Sequence, residues 1–385
     1  MITAAAVLVS VAVPLAFLWL VRRLDLYASG SFQTVLVCFL VGLLAFPAAW
    51  VLNTRARELM VTMGMTAAAA SLMLRTAAAP VIEELLKSVG VVYHENKPEF
   101  TYFVDGAIYG FAAGTAFAII ENISYLQTAP AGLALGTAIN RSFSTSLMHG
   151  GASALVGVSI GRFRFEKGTT RLLALVGGWG AAIVLHAGFN RLVNSNITGT
   201  PLLVGAFGIG LGAVGLTALF IVWGLRVQKR WLRESLGLDV GVTAGESEVI
   251  QKLADLDQLL APVAQVFGQQ KRDQVAQFLK LQAKLGIKRK AEQLTPDAKQ
   301  EAALGAEVAK LHEQMDDLRR QVGVYCMSYV RSILPPETEQ LWDPLSRRLE
   351  EAEARREKQG GGMNLWQTLG ERAESEPGQE HDTAP

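Results

Sequence analysis

The chain is short of charge and of cysteine. Only 18% of its 385 residues are Asp, Glu, Lys or Arg, and 50% are hydrophobic, whereas soluble globular proteins carry about 25% charged residues. Its two cysteines, Cys38 and Cys326, lie far apart in the sequence, which excludes a disulfide framework and a cysteine zinc cluster. The net charge of +1 gives no indication of a nucleic-acid partner, and no nucleic-acid motif, internal repeat or P-loop is present.

Apolar runs fill residues 1–225, whereas most charged residues lie in 226–385. A cleavable signal peptide begins with a basic region, and the N-terminal apolar stretch has none ahead of it. Its charges, Arg22 and Arg23, follow the stretch instead. The pattern predicts a first transmembrane helix with its N-terminus outside.

A membrane-spanning helix needs about 20 mostly apolar residues. Seven windows of the sequence meet this requirement, namely 2–21, 32–52, 66–92, 103–125, 131–160, 172–192 and 201–225. Pro80 and the charged run after it interrupt the third window. We therefore predict an all-α fold, a polytopic transmembrane bundle of about seven spans with a soluble helical tail.

Basic residues in the loops predict the orientation in the membrane. Arg and Lys are frequent after the fifth window and at the start of the tail, on the side that Arg22 and Arg23 mark. Arg55 and Arg57, in the second connection, oppose this orientation. The balance predicts an integral multi-pass membrane protein with a cytoplasmic C-terminus.

The tail divides into two parts. Residues 226–356 are predicted to form a cytoplasmic helical region, because apolar residues recur at helical spacing, as at Val249, Leu253 and Leu256. Residues 357–385 are Gly-rich and then polar and acidic, which predicts a disordered segment. The tail would drive oligomerisation, bind a partner or recruit substrate.

The third window carries three ionisable residues. A charge at mid-bilayer costs about 2.5–3.5 kcal/mol on insertion scales, so such residues usually have a function. In Glu83-Glu84-Leu-Leu-Lys87 a helix places one ammonium within reach of two carboxylates. If one carboxylate pairs with Lys87, the other is left as a general base. The alternative is an ordinary ion pair at a helix end near the membrane interface.

The fourth window ends in Glu121, one turn beyond Phe117 on the same helix face. Gly106, Gly110 and Gly114 recur at four-residue intervals in this window, which lets a neighbouring helix approach closely. The alternative for Glu121 is a carboxylate at the outer membrane interface.

Two histidines lie in the fifth and sixth windows. Arg141, Thr145 and His149 recur at helical spacing, as do His186 and Asn190. Core imidazoles are scarce in bilayers, which favours a functional role over that of satisfied core residues. The Asn190 amide would orient the imidazole, bind a carbonyl oxygen or simply join two helices by a hydrogen bond.

Taken together, paired carboxylates and two imidazoles on successive spans suffice to hold and activate water, either directly or on a metal ion. Proton relays in transporters also use chains of Glu and His. The residues alone predict a membrane enzyme that activates water. A proton-coupled transporter and a non-enzymatic scaffold that displays the tail stand as alternatives.

Over residues 65–195 the sequence resembles the PrsW family of intramembrane proteases, in a superfamily with the CAAX-prenyl endopeptidases and the bacteriocin-processing proteases. The likeness rests on four motifs in order, Glu83-Glu84-x-x-Lys87, Phe117-x-x-x-Glu121, His149 and His186-x-x-x-Asn190. The CAAX branch has His in place of Glu121 and commonly Arg in place of Lys87. These differences favour the PrsW branch and argue against prenylated substrates.

The resemblance implies a protease that cuts membrane-associated proteins near or within the bilayer, in regulated proteolysis. Anti-sigma factors and other single-span regulatory proteins are the substrates that it suggests. The catalytic residues that it implies, with Lys87 and Arg141 in support, are Glu83, Glu84, Glu121, His149, His186 and Asn190.

In this interpretation Glu83 or Glu84 is the general base on the attacking water, and Asn190 stabilises the oxyanion. The residues that would bind a metal ion, with zinc as the candidate, or polarise water and substrate are His149, His186 and Glu121. PrsW-type chains often have a carboxylate at the position of Asn190, and a carboxylate would serve a metal better than an amide. A metal-free mechanism therefore stays open beside the zinc mechanism.

The predicted windows do not place these residues at one depth. Glu121 and His186 fall near the outer face, His149 near the middle and Glu83 towards the inside. One catalytic centre requires them to meet within a few ångströms. We expect convergence, because isolated carboxylates at three depths would be costly.

Overall fold

A computed structural model describes residues 4–27, 30–236 and 256–333 of the chain. These residues form helices joined by short connections, with no β-strand among them, which confirms the predicted all-α class. The predicted disordered segment 357–385 lies outside the described residues, as do Val249 and Leu253.

Nine α-helices form the bundle within the described residues, and α3 leads directly into a π-helical turn, Leu74–Ala78, and then into α4. The segments are α1 Ala4–Arg23, α2 Phe32–Thr62, α3 Ala67–Met73, α4 Ala79–His94, α5 Phe103–Thr128, α6 Ala134–Phe143, α7 Thr145–Arg162, α8 Gly168–Val193 and α9 Thr200–Ser235. A short 3-10 turn, Ala131–Leu133, precedes α6.

Five of these helices, α1, α2, α5, α8 and α9, are long and apolar enough to cross a membrane, so the predicted count of about seven spans is not confirmed. The third window is divided by the π-turn and Pro80, and α4 has 16 residues. At 1.5 Å per residue such a helix covers about 24 Å, less than the roughly 30 Å hydrocarbon core. The fifth window is broken at Ser144, between α6 and α7.

Helix α5 lies at the centre of the bundle and is buried along nearly its whole length. The glycines predicted to admit a close neighbour do so, and the neighbour is α7. A methyl group on Gly114 would lie 2.2 Å from the His149 carbonyl oxygen, and one on Gly106 would lie 2.1 Å from that of Gly157. The backbone of α7 thus packs directly on α5, whereas α1, α2, α8 and α9 leave most of their apolar surface for lipid.

The described tail contains α10 Leu256–Leu259, α11 Ala261–Phe267, α12 Gln269–Leu294, α13 Ala298–Val322 and α14 Val324–Ile333. Helices α12 and α13 pack against each other, and α12 also packs on the C-terminal part of α9. The Ser235 hydroxyl donates to the Gly286 carbonyl at 2.8 Å, and Lys288 donates to the Pro98 carbonyl between α4 and α5. We call this end of the bundle the tail end.

Candidate active site

The predicted site residues lie together at the end of the bundle opposite the tail, which we call the site end. Glu83 and Glu84 follow closely on the start of α4, and His149 on the start of α7. Glu121 and His186 lie near the far ends of α5 and α8. The residues converge as expected, and the predicted windows placed them at three depths because α4 and α7 begin inside the third and fifth windows, at the π-turn and at Ser144.

Glu84 is wholly buried, and contacts from three helices surround it. Its Oε1 accepts from Lys87 Nζ at 2.5 Å and lies 2.8 Å from His186 Nδ1. Its Oε2 accepts from the Ser153 hydroxyl at 3.1 Å. Both oxygens are therefore occupied by fixed protein donors, so Glu84 holds other side chains in place.

His149 is buried between a cation and a carboxylate. Its Nδ1 lies 2.9 Å from Lys87 Nζ, and its Nε2 lies 3.0 Å from Glu121 Oε2. An ammonium only donates and an ionised carboxylate only accepts, so Nε2 carries the ring proton. The ammonium of Lys87 also lies 4.7 Å from the centre of the Phe117 ring, an arrangement that stabilises the cation further.

Glu121 is held by a polar chain that crosses three helices. Arg141 Nη2 donates to Glu121 Oε2 at 2.8 Å, and Arg141 Nε donates to Asn122 Oδ1 at 3.0 Å. The Asn122 amide in turn donates to the Ser146 hydroxyl at 2.8 Å. The helical spacing of Arg141 and His149 predicted that the two residues share one helix face. They lie on two different helices, because Ser144 separates α6 from α7. They meet instead at Glu121.

Of the two adjacent carboxylates, Glu83 and Glu84, Glu83 is the one that faces a cavity. Its Oε1 accepts from the Asn53 amide at 3.1 Å, and its Oε2 lies 3.7 Å from His186 Nε2. Asn53, near the end of the apolar part of α2, was not identified from the sequence. Its only signal is an amide that follows an apolar run, which is also the pattern of a membrane interface.

Asn190 donates to the Arg75 carbonyl in the π-turn at 2.9 Å. The amide thus joins α8 to the segment before α4, which is one of the alternatives drawn from the sequence. Its stabilisation of an oxyanion stays a prediction.

A cavity of about 610 Å³ opens at the site end, between α2, α4, α5, α8 and the start of α9. Glu83, Glu121, His186 and Asn190 line it, together with aromatic side chains and three arginines. A space of this size admits a segment of extended peptide. The Glu83 carboxylate and the largely buried His186 imidazole thus lie at the wall of this cavity.

Three potential metal ligands, Glu83, His149 and His186, have ligand atoms that all lie within 4.8 Å of one another. Two imidazoles and one carboxylate make a donor set typical of catalytic zinc, and Glu84 supports His186 through its other ring nitrogen. The sequence predicted His149, His186 and Glu121 as the metal ligands. In the structure Glu83 replaces Glu121 in this group. The residues fit a metal ion, provided that His149 gives up its contact with Glu121.

Comparison with known proteins identifies the family of the chain. The model of the PrsW family, described as intramembrane metalloproteases, matches residues 30–225, just over half of the chain. No curated protein and no solved structure matches. The chain belongs to the PrsW family, and it is a membrane peptidase. The match spans α2 to most of α9 and leaves out the tail.

Proposed function

We propose that this PrsW-family peptidase activates its attacking water at the cavity wall, between the Glu83 carboxylate and the His186 imidazole. The observation that carries the proposal is the 3.7 Å gap between Glu83 Oε2 and His186 Nε2, at the edge of a cavity large enough for peptide. A water in contact with both atoms would donate one hydrogen to each and keep a lone pair for attack on a carbonyl carbon.

Glu83 would act as the general base. The Asn53 amide fixes one oxygen of this carboxylate, so the other oxygen is held toward His186 and the water. It would take the proton of the attacking water and then deliver it to the leaving amine.

Glu84 and Lys87 would be positioning residues. Since Glu84 accepts at His186 Nδ1, that nitrogen carries the ring proton and Nε2 presents its lone pair toward Glu83. Lys87 neutralises Glu84 and simultaneously donates to His149. The buried pair therefore fixes the orientation of both imidazoles without contacting substrate.

The carbonyl oxygen of the substrate would be stabilised by donors that line the same cavity. Asn190, which lines the cavity, can serve if its amide leaves the Arg75 carbonyl. In the metal-dependent alternative, Glu83, His149 and His186 would hold a divalent ion such as zinc, and Glu83 would then be a ligand and not the general base. The ion would supply polarisation of the carbonyl and a more acidic water.

The substrates would be membrane proteins with a single span, such as anti-sigma factors, cut in regulated proteolysis. The cavity lies at the end of the bundle opposite the tail. If the tail is cytoplasmic, the cut falls on the outer side of the bacterial plasma membrane, close to its surface.

Comparative membrane proteomics tests this function. Cells that carry Glu83→Gln or Glu84→Gln should accumulate uncleaved single-span proteins, whose shortened forms appear with the unaltered chain. His94→Gln is the matched control, because His94 lies at the tail end and its ring contacts only the Gly90 carbonyl among the described side-chain hydrogen bonds. Identical proteomes in all strains would contradict the protease function. A phenotype that tail deletion alone produces would favour a scaffold.

A further inference from the structure

The cavity at the site end has an excess of positive charge. Of the charged side chains that line it, three are arginines, Arg57, Arg75 and Arg141, and two are glutamates, Glu83 and Glu121. Arg141 pairs with Glu121 at 2.8 Å. Within the described part of the chain, no carboxylate lies within ion-pair distance of Arg57 or Arg75. Two guanidinium groups therefore line the cavity without an ion-pair partner among the described residues.

Both arginines are attached to a defined framework. Arg57 Nε donates to the Ser71 hydroxyl at 2.8 Å, which ties α2 to α3 and leaves the terminal nitrogens of the guanidinium available. Arg75 lies within the π-turn, and its carbonyl accepts from Asn190 on α8, the helix of His186. The side chain of Arg57 and the backbone of Arg75 are thus held at the wall of the cavity that Glu83 and His186 also line.

The sequence supplies an independent reason to ask what Arg57 does. With a cytoplasmic tail, Arg55 and Arg57 lie on the side of the membrane where basic residues are disfavoured. Arg55 is paired with Glu58 at 2.9 Å and is not part of the cavity wall. Arg57 has no ion-pair partner among the described residues. Neither the charge bias of the loops nor an ion pair therefore explains an arginine at this position.

We infer that Arg57 and Arg75 bind a carboxylate of the substrate, so that the enzyme prefers peptides with an Asp or Glu side chain close to the scissile bond. The inference rests on the proposed protease function and adds the substrate class. A guanidinium presents its N–H groups in a planar fork that matches a carboxylate, which gives both affinity and orientation. A peptide fits better than a lipid headgroup, because the same cavity contains Glu83 and His186.

The first experiment is a cleavage-site profile. Purified full-length protein and the variants Arg57→Gln, Arg75→Gln and the double variant are each given a mixed peptide library. We expect Asp and Glu to be enriched at one position beside the cleaved bond, and the enrichment to disappear in the double variant. For a selected acidic peptide each single substitution should lower kcat/KM about tenfold, mainly through KM, because the lost contact is made in the ground state too.

The matched control is Arg55→Gln, which removes an arginine two positions away on the same helix, and its profile should equal that of the unaltered enzyme. A second control is the peptide with Gln in place of Glu, whose cleavage should not respond to either arginine. Cleavage without acidic enrichment, or enrichment that survives in the double variant, would overturn the inference and leave the protease function standing.

A binding experiment separates the inference from the protease function. A short fluorescein-labelled peptide with one Glu, and its Gln twin, are titrated against Glu84→Gln protein in phosphatidylcholine nanodiscs. We expect tighter binding of the Glu peptide, lost on adding Arg57→Gln and Arg75→Gln. This result without any cleavage by the unaltered enzyme would support the carboxylate site and contradict the protease function. Equal binding of the twins, with arginine-dependent binding of phosphatidylglycerol vesicles, would overturn the inference in favour of a lipid headgroup.

Discussion

Both ends of the bundle bury carboxylates beside basic side chains, yet the contacts of these groups differ. At the tail end, Asp105 accepts from the backbone N–H groups of Thr101 and Tyr102 at 2.7 and 3.3 Å, and so caps its own helix. Arg164 packs on the rings of Phe100 and Phe165. The two hydrogen bonds of Asp105 are local in sequence.

At the site end, by contrast, the carboxylates contact side chains from distant parts of the chain. Glu84 contacts His186 and Ser153, and Glu121 contacts Arg141 and His149. A cavity opens directly beside them. The comparison shows that burial of charge alone does not distinguish a candidate catalytic centre from a structural one. The distinguishing feature is that side chains from several helices converge beside a cavity.

The largest expected effect comes from exchanging one fully buried carboxylate at each end for its amide. Glu84→Gln should lower kcat/KM by about 10³-fold, because the orientation of His186 and the charge balance of Lys87 are both lost. Asp105→Asn should leave kcat/KM within about threefold and lower stability by about 1–3 kcal/mol, because it weakens a cap. Cleavage assays and denaturant unfolding measure the two effects. Comparable losses of activity in both variants would remove the distinction between the two ends.

Metal binding should also differ between the two ends. We expect purified protein to contain about one zinc ion per chain, and His149→Ala, His186→Ala and Glu83→Gln each to lower that content at least tenfold, because two ligands hold zinc poorly. His94→Ala, at the tail end, should keep the metal. Elemental analysis gives the content, and chelation followed by added zinc should remove and restore cleavage. A zinc content that is the same in all four variants would indicate the metal-free mechanism.

The α5–α7 contact runs the length of the bundle and permits a comparison of the ends by packing. Gly106→Ala and Gly114→Ala should each cost about 1–3 kcal/mol of stability, because a methyl group would meet backbone in both places. Gly114→Ala should in addition lower kcat about tenfold at a temperature where the protein is folded, since the displaced backbone carries His149. Gly180→Ala is the control, because nothing lies within 4 Å of a methyl group there. Equal activities of the two variants would show that His149 tolerates the displacement.

The smallest effect concerns pH and the docking of the tail. Burial lowers the pKa of Lys288 to about 8 from its usual 10.5, and the Asp105 charge opposes the shift. When the tail undocks, the amine regains its usual pKa, so the undocked state binds more protons between these two values. Docking should therefore strengthen as pH rises from about 8 to 10 and be independent of pH below about 7. Hydrogen exchange of α12 amides measures this, and Lys288→Met should abolish the dependence. A dependence that persists in Lys288→Met would assign it to another group.

The sequence predicts the chemistry of the site better than its geometry. Glu84, Glu121, His149 and His186 could be identified because ionisable side chains are rare in apolar spans. That these residues lie at one end of the bundle could not be predicted, because the helix breaks that place them there leave only weak signals in the sequence. Pro80 is visible, but the π-turn before it has an ordinary helical composition, and a Ser/Thr run around Ser144 is as common in intact helices.

Other features of the fold have no local signal at all. Asn53 resembles an interface residue, since its role depends on Glu83, which is 30 positions away. Lys288 lies in a polar helix and would be expected to face solvent, but its partner is a loop carbonyl at Pro98. Contacts of this kind depend on how elements pack against each other, and single-sequence patterns report only the local part.

The π-turn before α4 has a consequence for how this part of the chain can vary. There the Ala79 N–H reaches back to the Leu74 carbonyl, five residues away, so the turn contains one residue more than α-helical winding requires. Such a turn is what remains when a residue is inserted into a helix and the helix after it keeps its position. Differences in length upstream of Leu74 can thus be absorbed within these five residues, while Glu83 and Glu84 stay in register with His186 and Lys87.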